Sequence, residues 1–320
     1  MPDHFIGVDV GGTQITAGVV TKDYRILAKE AVPTRLPRPE TEVEAEIAKL
    51  CYAVCVDAGL IMEKDIAWVG IGTPGSVDPQ TGIVEFNANF AYHNWHLAEA
   101  VEKLLGKTVY IENDANAAAF GELLAGGAQG YQNAVVITLG TGIGGGIILD
   151  GKIFSGHNFA GAEIGHTVIV KDGRPCMCGR RGCFEKYASA RALTEDTRAA
   201  MLEKRENIMW TMVGGDIEKV NAKTAFDAMR AGDALGRELV DAFIDYVACG
   251  VTNIINIFQP EVVCIGGGVS KEGETLLAPL RAIVDREDYA RTSERRTVIT
   301  AAQLRNDAGI VGAALLGNQL

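Results

Sequence analysis

Short apolar runs broken by glycine and polar residues fill the first thirty positions, which predicts strands. FIGVDVGG, TQITAGVVT and YRILAKEAV read as three of them; a Gly11-Gly12 turn joins the first two, and Lys22-Asp23 leads into the third. PTRLPRP, residues 33–39, reads as extended connector. Val43, Ile47, Leu50 and Val54 then recur at helical spacing, with Gly59 as the stop. AWVGIGTPGSVD reads as a buried strand entering a glycine-proline turn, HLAEAVEKLLG as a short helix, and KTVYIEND as a strand that ends on charged and amide side chains. From Asn116 to Leu124 the chain is Ala-rich and helical.

The second half opens as the first did. VVITLGTGIGGGIILDGKIF matches IGVDVGGTQITAGVVTKDYRI in length and glycine punctuation, with Asp150-Gly151 as a hairpin turn. An internal duplication is therefore expected, with the boundary at the soft loop AGGAQGYQN: an N-terminal α/β domain over 1–125 and a larger α/β domain over 126–305. Further on come a long helix from Leu235 to Phe258, the strand EVVCIGGG, another helix, the strand RTVIT, and a final helix within 306–320 expected to pack back on the first domain.

Composition narrows the function. Thirty Lys and Arg against 41 Asp and Glu give a formal charge of −11, and no basic tract interrupts the acidity, which argues against nucleic-acid or anionic-membrane partners. MPDHFIGVDVGG lacks the basic and apolar regions of a signal peptide, and no uninterrupted apolar run reaches the length of a membrane span. Seven cysteines, an odd number, then fit reduced thiols in a cytoplasmic protein. Cys51 and Cys55, one helical turn apart with no further ligand nearby, read as small buried hydrophobes.

Residues 140–145, GTGIGG, fit the dinucleotide pattern G-x-G-x-x-G, but a strand and hairpin follow where that fingerprint requires a helix. No P-loop sequence is present. Two glycine hairpins, Gly11-Gly12 with Thr13 and Gly140-Thr141-Gly142, still let successive backbone N–H groups grip phosphate, though each alone also reads as a plain tight turn. Gly266, Gly267 and Gly268, between a strand and a helix, are a third place for a nucleotide. Asp114, at a strand-to-helix junction, is either an ordinary cap or a base that takes a hydroxyl proton in phosphoryl transfer. Asp9 ends the first strand beside a glycine loop, where it either orients Mg²⁺ or stabilises the turn.

CMCGRRGCFE places Cys176, Cys178 and Cys183 in one loop, and His166 lies ten residues before the first of them. Three thiols and an imidazole suit a closed tetrahedral Zn²⁺ site better than a disulfide or a redox centre. Glu163 and Glu185 flank the loop as acceptors for a polyol.

Taken together, DVGGT (9–13), GTPGSVD (72–78), ENDANAA (112–118), LGTGIGGG (139–146), EIGH (163–166) and the cysteine loop resemble the ROK sugar kinases across essentially the whole chain. The resemblance implies the actin-like ATPase fold, two ribonuclease-H-like domains closing on a central cleft. It implies ATP-dependent phosphorylation of a hexose at its 6-hydroxyl, glucose first, with N-acetylhexosamines (N-acetylmannosamine above all), fructose and allose as alternatives. Asp114 becomes the general base, and Gly75, Asn89, Asn113, Asp114, Glu163, His166 and Glu185 the sugar contacts. ATP, Mg²⁺ and structural Zn²⁺ are the implied cofactors, and a homodimer or tetramer the implied assembly. Gln14 departs from the family, which commonly has Lys or Thr there, so the phosphates would rest on backbone hairpins and Mg²⁺. The family's repressors need a DNA-binding domain before the first glycine strand, and only four residues precede Phe5.

Overall fold

The computed structural model describes residues 3–87 and 90–319. In chain order its strands are β1 (His4–Val10), β2 (Gln14–Thr21), β3 (Ile26–Pro33), β4 (Ile66–Thr73), β5 (Ser76–Asp78), β6 (Ile83–Asn87), β7 (Tyr92–Trp95), β8 (Val109–Asn113), β9 (Ala134–Leu139), β10 (Ile143–Leu149), β11 (Lys152–Ile153), β12 (Val262–Gly266) and β13 (Val298–Ala301). The helices are α1 (Glu40–Asp57), α2 (Met62–Asp65), α3 (Leu97–Leu105), α4 (Asp114–Ala125), α5 (Glu185–Ala188), α6 (Ala190–Glu203), α7 (Met209–Met212), α8 (Ala222–Arg230), α9 (Ala234–Phe258), α10 (Glu274–Glu287) and α11 (Ala308–Ala314), with short 3₁₀ turns between.

Two sheets share one plan. The first has order β3-β2-β1-β4-β8 and the second β11-β10-β9-β12-β13. In the first, β1 pairs antiparallel with β2 and parallel with β4, and β8 adds parallel to β4. That shared order is the duplication the glycine punctuation announces. The Asp150-Gly151 turn has φ of 51° and 75°, the left-handed pair that a tight hairpin requires. A smaller sheet, β5-β6-β7, is inserted after β4.

By contact density the chain forms two compact units. Unit 1 comprises Met1–Val135, Gly146–Ala162 and Gln303–Leu320; unit 2 comprises Val136–Gly145 and Glu163–Ala302. In unit 1 the buried faces of β1, β2 and β4 (Ile6, Val8, Ile15, Val69, Ile71) pack with the predicted stripe of α1, and Cys51 and Cys55 lie buried in that core. Helix α11 packs on α4, β1 and β4. Only small residues permit this: a Cβ on Gly312 would strike the Ala117 carbonyl.

In unit 2, α9 matches the helix expected from Leu235, capped by Asp233, whose carboxylate accepts from the Gly236 N–H at 2.7 Å. Helix α9 is long and apolar enough by length and composition to cross a membrane, although Asp241 and Asp245 interrupt its apolar residues. However, 56% of its most apolar stretch is buried inside the protein, where it packs on α8 and α10 as a core helix does.

Candidate active site

The residues singled out by the sequence fall into two groups, one in each unit. In unit 1, Asp9 is the penultimate residue of β1 and Asn113 the last of β8, so the parallel strands deliver both side chains at their carboxyl ends. Asn113 is the N-cap of α4: its Oδ1 accepts from the N–H groups of Ala115 (2.9 Å) and Asn116 (3.2 Å). The cap role considered for Asp114 therefore belongs mainly to Asn113. Asp114 is the first residue of the helix and accepts from the Ala115 N–H at 2.9 Å. Asp9 is partly buried, and burial first, then the charge of Asp114, raises its carboxyl to about 6. A cation beside it would reverse that cost, so its environment fits a divalent ion.

Asn113 also donates through Nδ2 to the Gly75 carbonyl at 3.1 Å. Gly75 has φ of 111°, and a Cβ there would collide with the Phe86 carbonyl oxygen, so only glycine fits. Asn87 is fully buried and donates to the Pro74 carbonyl at 2.6 Å, fixing the same turn. Asn89, the predicted sugar contact, lies outside the described residues.

The first glycine hairpin closes through Gly11 N–H to the Gln14 carbonyl at 2.8 Å. Buried Thr34, which sequence reasoning missed, pins it by donating its hydroxyl to the Gly11 carbonyl at 2.6 Å. Asp9, Gly11, Thr13 and Gln14 line a cavity of about 380 Å³. Lys29 lines it too, paired with Asp307 at 2.5 Å.

In unit 2 the second hairpin closes through Gly140 N–H to the Gly142 carbonyl at 3.0 Å. Thr141 and Gly268 line a cavity of about 870 Å³ with Thr194, Asn221, Lys223 and Arg230 from α6, α8 and their flanks. Gly267 (φ 82°) lets β12 turn against Leu139, whose backbone a Cβ would strike, while Gly266 stays in the strand. Sequence reasoning missed the helical wall of this cavity, although the capping box formed by Asn221 and Thr224 was a usable helix signal.

The ligand atoms of His166, Cys176, Cys178 and Cys183 lie within 4.8 Å of one another. Bond lengths of about 2.3 Å to sulfur and 2.05 Å to nitrogen give tetrahedral edges of about 3.8 Å between sulfurs and about 3.6 Å from sulfur to nitrogen. The observed Cys178–Cys183 Sγ separation is 3.6 Å, and Cys176 Sγ to His166 Nδ1 is 3.6 Å. Burial raises the Cys176 thiol to about 12, whereas the Arg180 backbone N–H draws the Cys178 thiol below its usual range. A bound cation would hold both as thiolates. The donor set and its spacing fit a tetrahedral zinc ion.

The loop also positions a carboxylate. Glu185 Oε1 lies 3.2 Å from Cys176 Sγ and 3.9 Å from His166 Nδ1, and a Cβ on Gly142 would come within 2.8 Å of Glu185 Oε2. The loop, Glu185 and the second glycine hairpin are therefore brought together. Glu163 is exposed at the start of the 3₁₀ turn Ile164–His166.

The ROK family profile matches residues 5–319. A glucokinase from Thermotoga maritima is 40% identical over 311 residues, 97% of this chain and 95% of the relative. An N-acetyl-D-glucosamine kinase from Aliivibrio fischeri is 30% identical over 286 residues, 83% of this chain and 84% of the relative. Among solved structures, a ROK family glucokinase from Streptomyces griseus in complex with glucose and AMPPNP superposes with a TM-score of 0.79 at 36% identity, covering 99% of this chain and 100% of that one.

Proposed function

The chain belongs to the ROK family, and on that premise we propose that it is an ATP-dependent hexose kinase moving the γ-phosphate of ATP to the 6-hydroxyl of glucose. Its fold is the actin-like ATPase fold. The observation that carries the choice of glucose is the end-to-end likeness to the Streptomyces griseus glucokinase, itself held with glucose and an ATP analogue. The Aliivibrio relative supports a second reading, phosphorylation of an N-acetylhexosamine. For the domains we carry forward 1–125 with the closing helix of 306–320, and 126–305.

In this reading the sugar's 6-oxygen attacks the γ-phosphorus, the bond from phosphorus to the β–γ bridging oxygen breaks, and ADP departs. Asp114 accepts the hydroxyl proton. Gly75, Asn89, Asn113, Glu163, His166 and Glu185 hold the sugar. The hairpins at Gly11–Thr13 and Gly140–Gly142, with Gly266–Gly268, hold the nucleotide. Asp9 would hold Mg²⁺ and its waters, which neutralise phosphate charge when bound. His166, Cys176, Cys178 and Cys183 would hold Zn²⁺, whose contribution is to fold the loop. We carry forward a cytoplasmic homodimer or tetramer, as the family resemblance implies.

Glu163→Gln and Glu185→Gln test the sugar anchors. Each exchange removes a charge-assisted acceptor worth about 1.5–3 kcal/mol, so sugar KM should rise roughly 10- to 100-fold while ATP KM stays within about twofold. Steady-state kinetics with each substrate varied in turn decides it. Unchanged sugar KM and kcat in both variants removes these carboxylates from the site.

A further inference from the structure

We propose that unit 1 carries a second small-molecule site, apart from every residue assigned above to sugar, nucleotide or metal, which takes an uncharged molecule with a hydroxyl donor at one end of a flat apolar body. The site is a cavity of about 480 Å³ at the outer edge of β8, the last strand of its sheet. That volume lies within the roughly 300–1,000 Å³ of small-molecule pockets. Tyr110, Ile153, Phe154 and Leu316 supply apolar walls, and Glu112 with Ser155 supplies the polar end.

Glu112 decides the chemistry. It is 4% exposed. Its Oε1 accepts from the Asn113 N–H at 2.8 Å and from Asn116 Nδ2 at 3.0 Å. Among the described residues its Oε2 receives one hydrogen bond, from the Ser155 hydroxyl at 3.4 Å, the outer limit for such a contact. A carboxylate offers about four acceptor positions, and a buried oxygen short of donors is costly. A ligand hydroxyl reaching Oε2 would remove that cost. Burial raises the Glu112 carboxyl above its usual range, despite the three hydrogen bonds that oppose the rise. Lys152 lines the same cavity and disfavours a cationic ligand. The Glu112 carboxylate disfavours an anion, so an uncharged donor remains, and the aromatic walls of Tyr110 and Phe154 suit it to a ring.

The site has a route to chemistry. Through Oε1 the same carboxylate holds Asn113 and Asn116, which bracket Asp114 in sequence, so a ligand at Oε2 bears on the group that orders the start of α4.

Titration with p-cresol and with its near-isostere anisole, which has no hydroxyl to donate, tests the site by saturation-transfer NMR. p-Cresol should bind saturably with a Kd of about 1 mM, the scale set by roughly eight non-hydrogen atoms, and anisole at least about fivefold more weakly. Ser155→Ala removes the competing donor, so it should tighten p-cresol by about twofold and leave anisole unchanged. Leu316→Trp fills the cavity and should abolish binding. Three results overturn the proposal: no saturation by p-cresol, equal binding of the two probes in both wild type and Ser155→Ala, or undiminished p-cresol binding to folded Leu316→Trp. Should Leu316→Trp not fold, the Ser155→Ala comparison still decides. Sugar and nucleotide are absent throughout, so the outcome is independent of the kinase reading.

Discussion

Asp114→Asn should lower kcat by roughly a hundredfold or more, the range for loss of a general base, while the ATP dissociation constant stays nearly unchanged. Asparagine keeps the size of the side chain and some of its hydrogen bonding but cannot take the proton. The helix N-terminus that favours an ionised carboxylate also makes it a weak base toward an alcohol. Phosphoryl transfer tolerates this, because bond formation to the nucleophile lags in a loose transition state and the hydroxyl proton becomes acidic late. Aim then outweighs basicity, and the structure supplies aim: Asn113 caps α4, and its Nδ2 ties the helix start to the Gly75 turn. Single-turnover kinetics with calorimetric ATP binding checks it. Near-normal kcat, or lost ATP binding with the fold intact, makes Asp114 a cap or a nucleotide ligand instead.

The second large effect concerns the thiols. Cys178→Ala should release zinc and lower both thermal stability and activity, although Cys178 itself is exposed at the loop surface. Losing one of four ligands should cost at least the order of 100-fold in metal affinity that loss of an outer-shell partner costs. On about 3 kcal/mol, Tm should fall by roughly 5–10 °C. Activity falls with it because the loop carries His166 and ends at Glu185. Elemental analysis of wild type purified without chelator should return one zinc per chain. Full activity in a zinc-free Cys178→Ala protein would show that the loop orders itself.

Much of this was legible in the chain because the signals are local. Short apolar runs and glycine punctuation mark β1, β2, β9 and β10, and the cysteine spacing marks the metal loop within eight residues. What the sequence hid depends on distance. Lys29 reaches the first glycine hairpin's cavity held by Asp307, 278 residues away, and Ser155 meets Glu112 across 43. Helix α6 buries only Ala192, Leu193, Thr197 and Met201 over 14 residues, too thin a stripe to announce itself. With α8, whose Asn221 cap was readable, it supplies most of the second cavity's wall. Asn87 is the instructive case. Its side chain supports the Pro74–Gly75 turn from a fully buried position, a role that no spacing rule distinguishes from ligand contact.

Sugar-dependent ADP release, measured by a coupled assay over free hexoses and N-acetylhexosamines, tests the central claim most directly. The account predicts turnover that requires sugar and Mg²⁺, with glucose giving the highest kcat/KM and N-acetylmannosamine and N-acetylglucosamine at least about tenfold lower, the scale of discrimination at a single substituent. Highest kcat/KM on an N-acetylhexosamine would contradict the choice of glucose. ADP release indifferent to every sugar would contradict the kinase itself.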